Sequence, residues 1–296
     1  MDLFHKIAGW AYLLLPLLCA VVYLRILWVL RATEKYTSLS CYKIVLQMAL
    51  ARLLTVPGYC LHGVWIIVGT NERGTHSFGL KLVTLSLLVE TCLYFVLALD
   101  RLQIITRLTM PCWIATALCV ISWLFGLSQA AILCSPLAEI YDDVDGLKPL
   151  FNYSYPYSET VRIVGFSSIF TISTLTLLVY FVIFGYLCYH FKRQKLPKSS
   201  YDEKRILAQS VIKFCADLTV NVFYNFNVFE PTPVVNFCVT LGCVFVTLVL
   251  PIVLYMTNRT LRRKAFGFTP TKVQASMQQS KTLFKLSGHK PPKSST

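Results

Sequence analysis

The segment from Leu80 to Arg107 most limits what this chain can become, because it stays apolar for the length of a bilayer-crossing helix while holding one acid, Glu90, in its middle. Such a helix needs about 20 residues at 1.5 Å rise each, more than a helix in a water-soluble core uses. The segment closes on Asp100-Arg101-Leu102. Glu90 and Arg101 are eleven residues apart, so at about 100° per residue they share a helix face, with about 16 Å of depth between them.

Six further segments have the same character. The predicted spans are 7–30, 44–69, 80–106, 111–135, 161–190, 206–229 and 233–257. With 55% hydrophobic and 14% charged residues and a mean hydropathy of +0.59, the chain lies outside the soluble globular range. The first span is too long for a signal-peptide core and lacks a cleavage pattern. The expected class is an all-α membrane protein, a bundle of seven transmembrane helices over residues 1–268, with a cytosolic tail at 269–296 whose Ser, Lys and Gln content predicts disorder.

The net charge of +14 raises nucleic acid as a partner, but the basic residues cluster in short loops and in the tail, so the lipid bilayer is the expected partner and nucleic acid is not. Arg31, Lys35 and Lys43 follow span 1, Arg101 and Arg107 close span 3, and Lys192 to Arg205 supply six more after span 5. The tail adds nine between Arg259 and Lys293. The opposite side holds Lys6, Arg73, Lys81, Lys148 and Arg162 among five acids, Glu139, Asp142, Asp143, Asp145 and Glu159. The positive-inside rule therefore predicts an external N-terminus and a cytosolic C-terminus. The sequon Asn152-Tyr153-Ser154 then falls outside, open to glycosylation. After span 7, Leu261, Ala265, Phe266 and Phe268 set against Arg259, Arg262, Arg263 and Lys264 predict an interfacial amphipathic helix over 258–268; a stop-transfer cluster is the plainer alternative.

Ionisable groups inside a span cost about 2.5–3.5 kcal/mol each and so mark function by default. Arg25 is near a span end and can snorkel. Arg52 lies about 14 Å in from Lys43, and Glu90 about 16 Å in from Arg101, so the two reach one depth from one side. A buried ion pair is the economical reading; the other is that each faces a water-filled cavity. In span 6, Lys213, Asp217, Asn221 and Asn225 recur every fourth residue as one polar stripe, either interhelical glue or the wall of a ligand cavity with Tyr94. No HExxH, GxSxG, P-loop or paired intramembrane histidine is present, so no catalytic residue and no cofactor is assigned. Eleven cysteines without a CxxC or CxxH spacing give no metal site.

An external N-terminus, seven spans, Asp100-Arg101-Leu102 closing span 3, and Pro251 with Tyr255 ending span 7 resemble a G-protein-coupled receptor. More narrowly, Cys41-Tyr42-Lys43-Ile44, Ala98-Leu99-Asp100-Arg101 and Tyr255-Met256-Thr257-Asn258-Arg259-Thr260-Leu261-Arg262 resemble the nematode serpentine chemoreceptors of class T or class xa. The resemblance implies a plasma-membrane receptor in which Asp100, Arg101 and Leu102 meet a heterotrimeric G protein, Asp100 restrains Arg101 at rest, Pro251 and Tyr255 form a switch, and an external small molecule is the ligand. Departures are as informative. The superfamily's usual span 3 cysteine is His76, and 135–160 contains no cysteine, so the usual disulfide to that loop is absent. Its span 2 acid corresponds to Arg52, which argues against sodium modulation; the span 6 Trp-Pro pair is missing and the span 7 Asn-Pro is Leu250-Pro251. A seven-helix lipid or small-solute carrier is the alternative, and a lipid-modifying enzyme a third reading.

Overall fold

The computed structural model describes residues 3–32, 40–69, 76–106, 108, 111–143, 146–193, 200–226, 229–230 and 232–257. The expected amphipathic segment 258–268 and the tail lie outside them. The helices are α1 (Leu3–Ala32), α2 (Ser40–Val68), α3 (His76–Thr106), α4 (Cys112–Cys134), α5 (Ser158–Arg193) and α6 (Ser200–Phe226). A seventh rod consists of α7 (Pro233–Val244), a π-helical stretch (Phe245–Val249) and α8 (Leu250–Thr257). Packing divides the chain into Met1–Leu254 and Tyr255–Thr296.

Among the described residues six of these rods are long and apolar enough to cross a membrane; α6 is the one that is not. The polar stripe lowers its hydropathy, so it depends on neighbours to cover those groups. Several helices outrun the predicted spans: α1 starts at Leu3, α5 runs from Ser158 to Arg193 and α6 starts at Ser200. Hydropathy marks where apolar contact ends, whereas a helix of polar residues continues into water at little cost. α2 and α3 form the centre, with half of each apolar window buried against 11% for α5, whose apolar side chains face outward.

Close backbone approach makes that centre. Gly9 of α1 faces Gly63 of α2, and a methyl on Gly63 would lie 2.6 Å from the Gly9 carbonyl oxygen. One helical turn and a little more away, Gly58 of α2 faces Gly79 of α3, and a methyl there would lie 2.5 Å from the Gly79 carbonyl oxygen. Without a hydrophobic force between helices in lipid, such small-residue contacts are a main source of association.

Between α4 and α5 the chain makes one hairpin, an addition to the expected all-α class. Strands β1 (Ile140–Asp143) and β2 (Lys148–Phe151) pair antiparallel, with Ile140 opposite Phe151 and Asp143 opposite Lys148. The sequence carried a signal for it in Asp145-Gly146, a common hairpin-turn dipeptide. Leu147 adopts a left-handed φ of 56° and is fully buried. Its strain of about 1–2 kcal/mol is offset by the roughly 1.5–3 kcal/mol gained in burying a leucine side chain. Ile140 packs with Leu80, Leu133 and Val161, so the hairpin caps one end of the bundle.

Valine at Gly58 or Gly63 should therefore abolish folded protein, whereas Gly185→Ala, facing open space in α5, should leave the melting temperature unchanged or raise stability by up to about 1 kcal/mol. Thermal melting in detergent compares the three.

Candidate functional site

An arginine in α2 is closed off from solvent within the bundle. Arg52 is fully buried and donates from Nε (3.1 Å) and Nη2 (2.9 Å) to Oε1 of Glu90 in α3. Its Nη2 also donates to the Tyr94 hydroxyl at 2.6 Å, one helical turn further along α3. Across the bundle, Lys213 of α6 lies 3.8 Å from the same Glu90 oxygen, within ion-pair reach though too long for a hydrogen bond. Lys213 is held more tightly by Asp217 of its own helix, at 2.5 and 2.6 Å. Two cations and two anions thus cancel in one cluster, which is how charges become tolerable at this depth.

The cluster is walled by rings. The Arg52 guanidinium lies 5.8 Å from the Tyr23 ring and 5.7 Å from the Tyr94 ring, and Lys213 lies 5.2 Å from Tyr94. Tyr23 in turn donates to the Leu248 carbonyl oxygen in the π-helical stretch at 2.7 Å. Pro251, buried just beyond, has no N–H to return to the ladder, and the π turn with its Leu250 N–H to Phe245 O bond accommodates that gap. One chain of contacts accordingly runs from α1 to α2, α3 and α6, with Tyr23 reaching the seventh rod.

The polar stripe of α6 divides between two cavities. Lys213 and Asp217, with Tyr94 and Tyr180, line a small one of about 30 Å³. Asn221 and Asn225 line a larger one of about 130 Å³ beneath the hairpin, walled by residues of α2, α3, α5, α6 and α7. Within α6, Asn221 and Asn225 also donate to the carbonyl oxygens of Asp217 and Asn221, at 2.8 and 3.0 Å.

No disulfide holds the hairpin; Cys134 and Cys243 nearby are free thiols. Instead Tyr224 at the end of α6 donates to the Pro149 carbonyl oxygen at 2.8 Å, and Lys148 donates to the Tyr224 carbonyl oxygen at 2.9 Å with its ammonium 4.7 Å from the ring. Burial pushes the Lys148 ammonium below the usual lysine range.

At the other end of α3, Asp100 is buried and Arg101 half-buried. Among the described residues no ion pair joins them, and as consecutive residues they project about 100° apart on the helix. Leu102 packs against the cluster of Ala98, Tyr180 and Ile183, tying this end of α3 to α5. Tyr255 falls in the second packing unit. The Asn152 side-chain amide, the acceptor in the sequon, donates to Glu139 Oε2 at 2.7 Å, a bond that glycosylation would have to displace.

Sequence reasoning overlooked Arg162 and Lys148, counted only among the basic residues of the outer side. Arg162 lines the larger cavity, and Lys148 bonds to Tyr224, which also lines it. The signal was there in the position of Arg162, which already falls inside the predicted span 161–190 and stands four residues into α5.

No family model matches the chain, and no curated protein matches it in sequence. Among solved structures it is similar to the crystal structure of squid rhodopsin, with a TM-score of 0.71 and 13% identity over 99% of this chain and 93% of that one. At that identity the likeness is one of fold: a multi-pass bundle of seven helical rods arranged as in rhodopsin.

Glu90→Ala leaves Arg52 without its carboxylate and should cost about 3–5 kcal/mol, and Arg52→Ala, which leaves Glu90 only the longer Lys213 contact, should cost somewhat less. Arg52→Glu with Glu90→Arg should recover only part of this, because Arg at 90 would face Lys213; adding Lys213→Met should recover more. Melting temperatures of the singles, the swap and the triple variant form the required cycle. The hairpin lysine gives a pH test. In the interval between its lowered folded value and the ordinary 10.5, the unfolded chain binds the extra proton, so stability rises with pH there. Wild type should gain on Lys148→Met as pH climbs through that interval, and a pH-independent difference would contradict a buried ammonium.

Proposed function

We propose that this chain is a receptor of the plasma membrane, external at its N-terminus and cytosolic at its C-terminus, that couples an outside small molecule to a heterotrimeric G protein. The observation that carries the reading is the course of α3. One end lines the cavity beneath the hairpin through Leu80, Val83, Thr84, Leu87 and Leu88, and the other presents Asp100-Arg101-Leu102, in a bundle with the rhodopsin fold. Between them lies the charge cluster. The narrower assignment, a chemosensory receptor akin to the nematode serpentine families, rests on the Cys41–Ile44, Ala98–Arg101 and Tyr255–Arg262 motifs.

Activation would be a population shift in which ligand favours an arrangement with α6 displaced from α3. The cluster is suited to that. Arg52–Glu90 ties α2 to α3 through two hydrogen bonds, and Lys213–Asp217 is internal to α6, so the only ion-pair contact between α3 and α6 among the described residues is the 3.8 Å one. Moving α6 would break the weakest link and leave each half neutral.

Arg101→Ala should abolish G-protein nucleotide exchange at undiminished surface level, because the arginine acts on the partner rather than on the fold. Exchange is to be measured in membranes of cells screened with small molecules, alongside a tag after Thr296 that should be reached by antibody only after permeabilisation. Normal exchange in Arg101→Ala would remove the coupling role; solute flux without a G protein would favour a carrier.

A further inference from the structure

Among the described residues, one charged side chain lies on the wall of the cavity under the hairpin. Arg162 stands on the second turn of α5, and its Nε is buried with no hydrogen-bond partner. Among the described residues no aspartate or glutamate lines the cavity, and no ion pair or hydrogen bond is made by the Arg162 guanidinium. The remaining wall is mostly hydrocarbon, with Leu80, Val83, Leu88 and Phe166 among its members, and ends in the amides of Asn221 and Asn225. A guanidinium offers a planar fork of donors, and its best partner is a carboxylate taken bidentately. In an apolar wall such a contact is little screened by water.

Volume narrows the guest. A space of about 150 Å³ holds a benzene molecule, and this one, open on one side, measures about 130 Å³. A compact body fills it, whereas the chain of a membrane fatty acid would extend out of it. We infer that the cavity binds a small monocarboxylate with a compact apolar body, the carboxylate on Arg162 and the body against α3 and Phe166. The inference rests on the receptor reading for its biological meaning, and on the cavity alone for its chemistry. It also accounts for the placement of the hairpin, which covers the cavity through Ile140, Pro149 and Phe151 and so shields the ion pair from water.

The test is a thermal shift of the purified full chain in nanodiscs, with phenylacetate, benzoate and cyclohexanecarboxylate at millimolar concentration and phenylacetamide as the uncharged match. At least one acid should raise the melting temperature, and phenylacetamide should not. Arg162→Gln, at a half-buried position, should melt like wild type without acid and lose the shift; Arg162→Lys should retain part of it. An equal shift with the amide, an undiminished shift in Arg162→Gln, or none with any of the three acids would overturn the proposal. So would stabilisation by oleate but not by the short acids, which would place the source in the bilayer. If Arg162→Gln lowers the melting temperature without ligand, equilibrium binding of radiolabelled phenylacetate to the same nanodiscs decides, with undiminished binding in the variant overturning the assignment. Because no G protein takes part, a negative result leaves the coupling experiment standing, and a failure of coupling leaves this binding intact.

Discussion

The buried pair of Arg52 and Glu90 is the constraint to which the rest of the bundle conforms. A guanidinium fully removed from solvent, with a carboxylate beside it, is stable only if both are desolvated together and hydrogen-bonded in good geometry. That requirement fixes the rotation and depth of α2 against α3. It also explains why Tyr94 points inward one turn away and why Lys213, carrying Asp217 with it, occupies the facing side of α6. α6 is too polar to meet lipid on all sides, and the cluster is where its polarity is absorbed.

Glycine makes this arrangement reachable. The contacts Gly9–Gly63 and Gly58–Gly79 bring α1, α2 and α3 close enough for Tyr23 and Glu90 to approach Arg52 from two sides. A larger residue would separate the backbones and lengthen the ion pair, so packing and electrostatics are satisfied by one geometry. The hairpin end works differently. It has no cystine, and is held by the burial of Ile140 and Leu147 together with two bonds to Tyr224. The hairpin over the cavity and the end of α6 are thereby joined directly.

Much of the fold was legible in the chain. Seven apolar stretches, each near the length of a bilayer, leave few alternatives to a helix bundle, because lipid offers no hydrogen-bond partner to an exposed backbone. The equal depth of Arg52 and Glu90 followed from counting residues against a fixed rise. Less legible were the helix ends, since polar residues extend α5 and α6 beyond their apolar limits, and the hairpin, whose only local mark was Asp145-Gly146. Arg162 illustrates the failure clearly: it falls at the very start of the predicted span 161–190, and only the hairpin folding over it turns its surroundings into a cavity wall.

What the sequence by itself determined was which residues must avoid lipid, because hydropathy and helical periodicity are local properties, readable along one segment at a time. That Lys213 reaches Glu90, that Tyr23 bridges Arg52 to the π-helical stretch, and that Asn221 and Asn225 look into a different cavity from Lys213 were decided by tertiary structure. Those relations depend on the rotation and relative height of separate helices. Both quantities are set by small-residue contacts and charge pairing between segments distant in sequence, and no single helix encodes them.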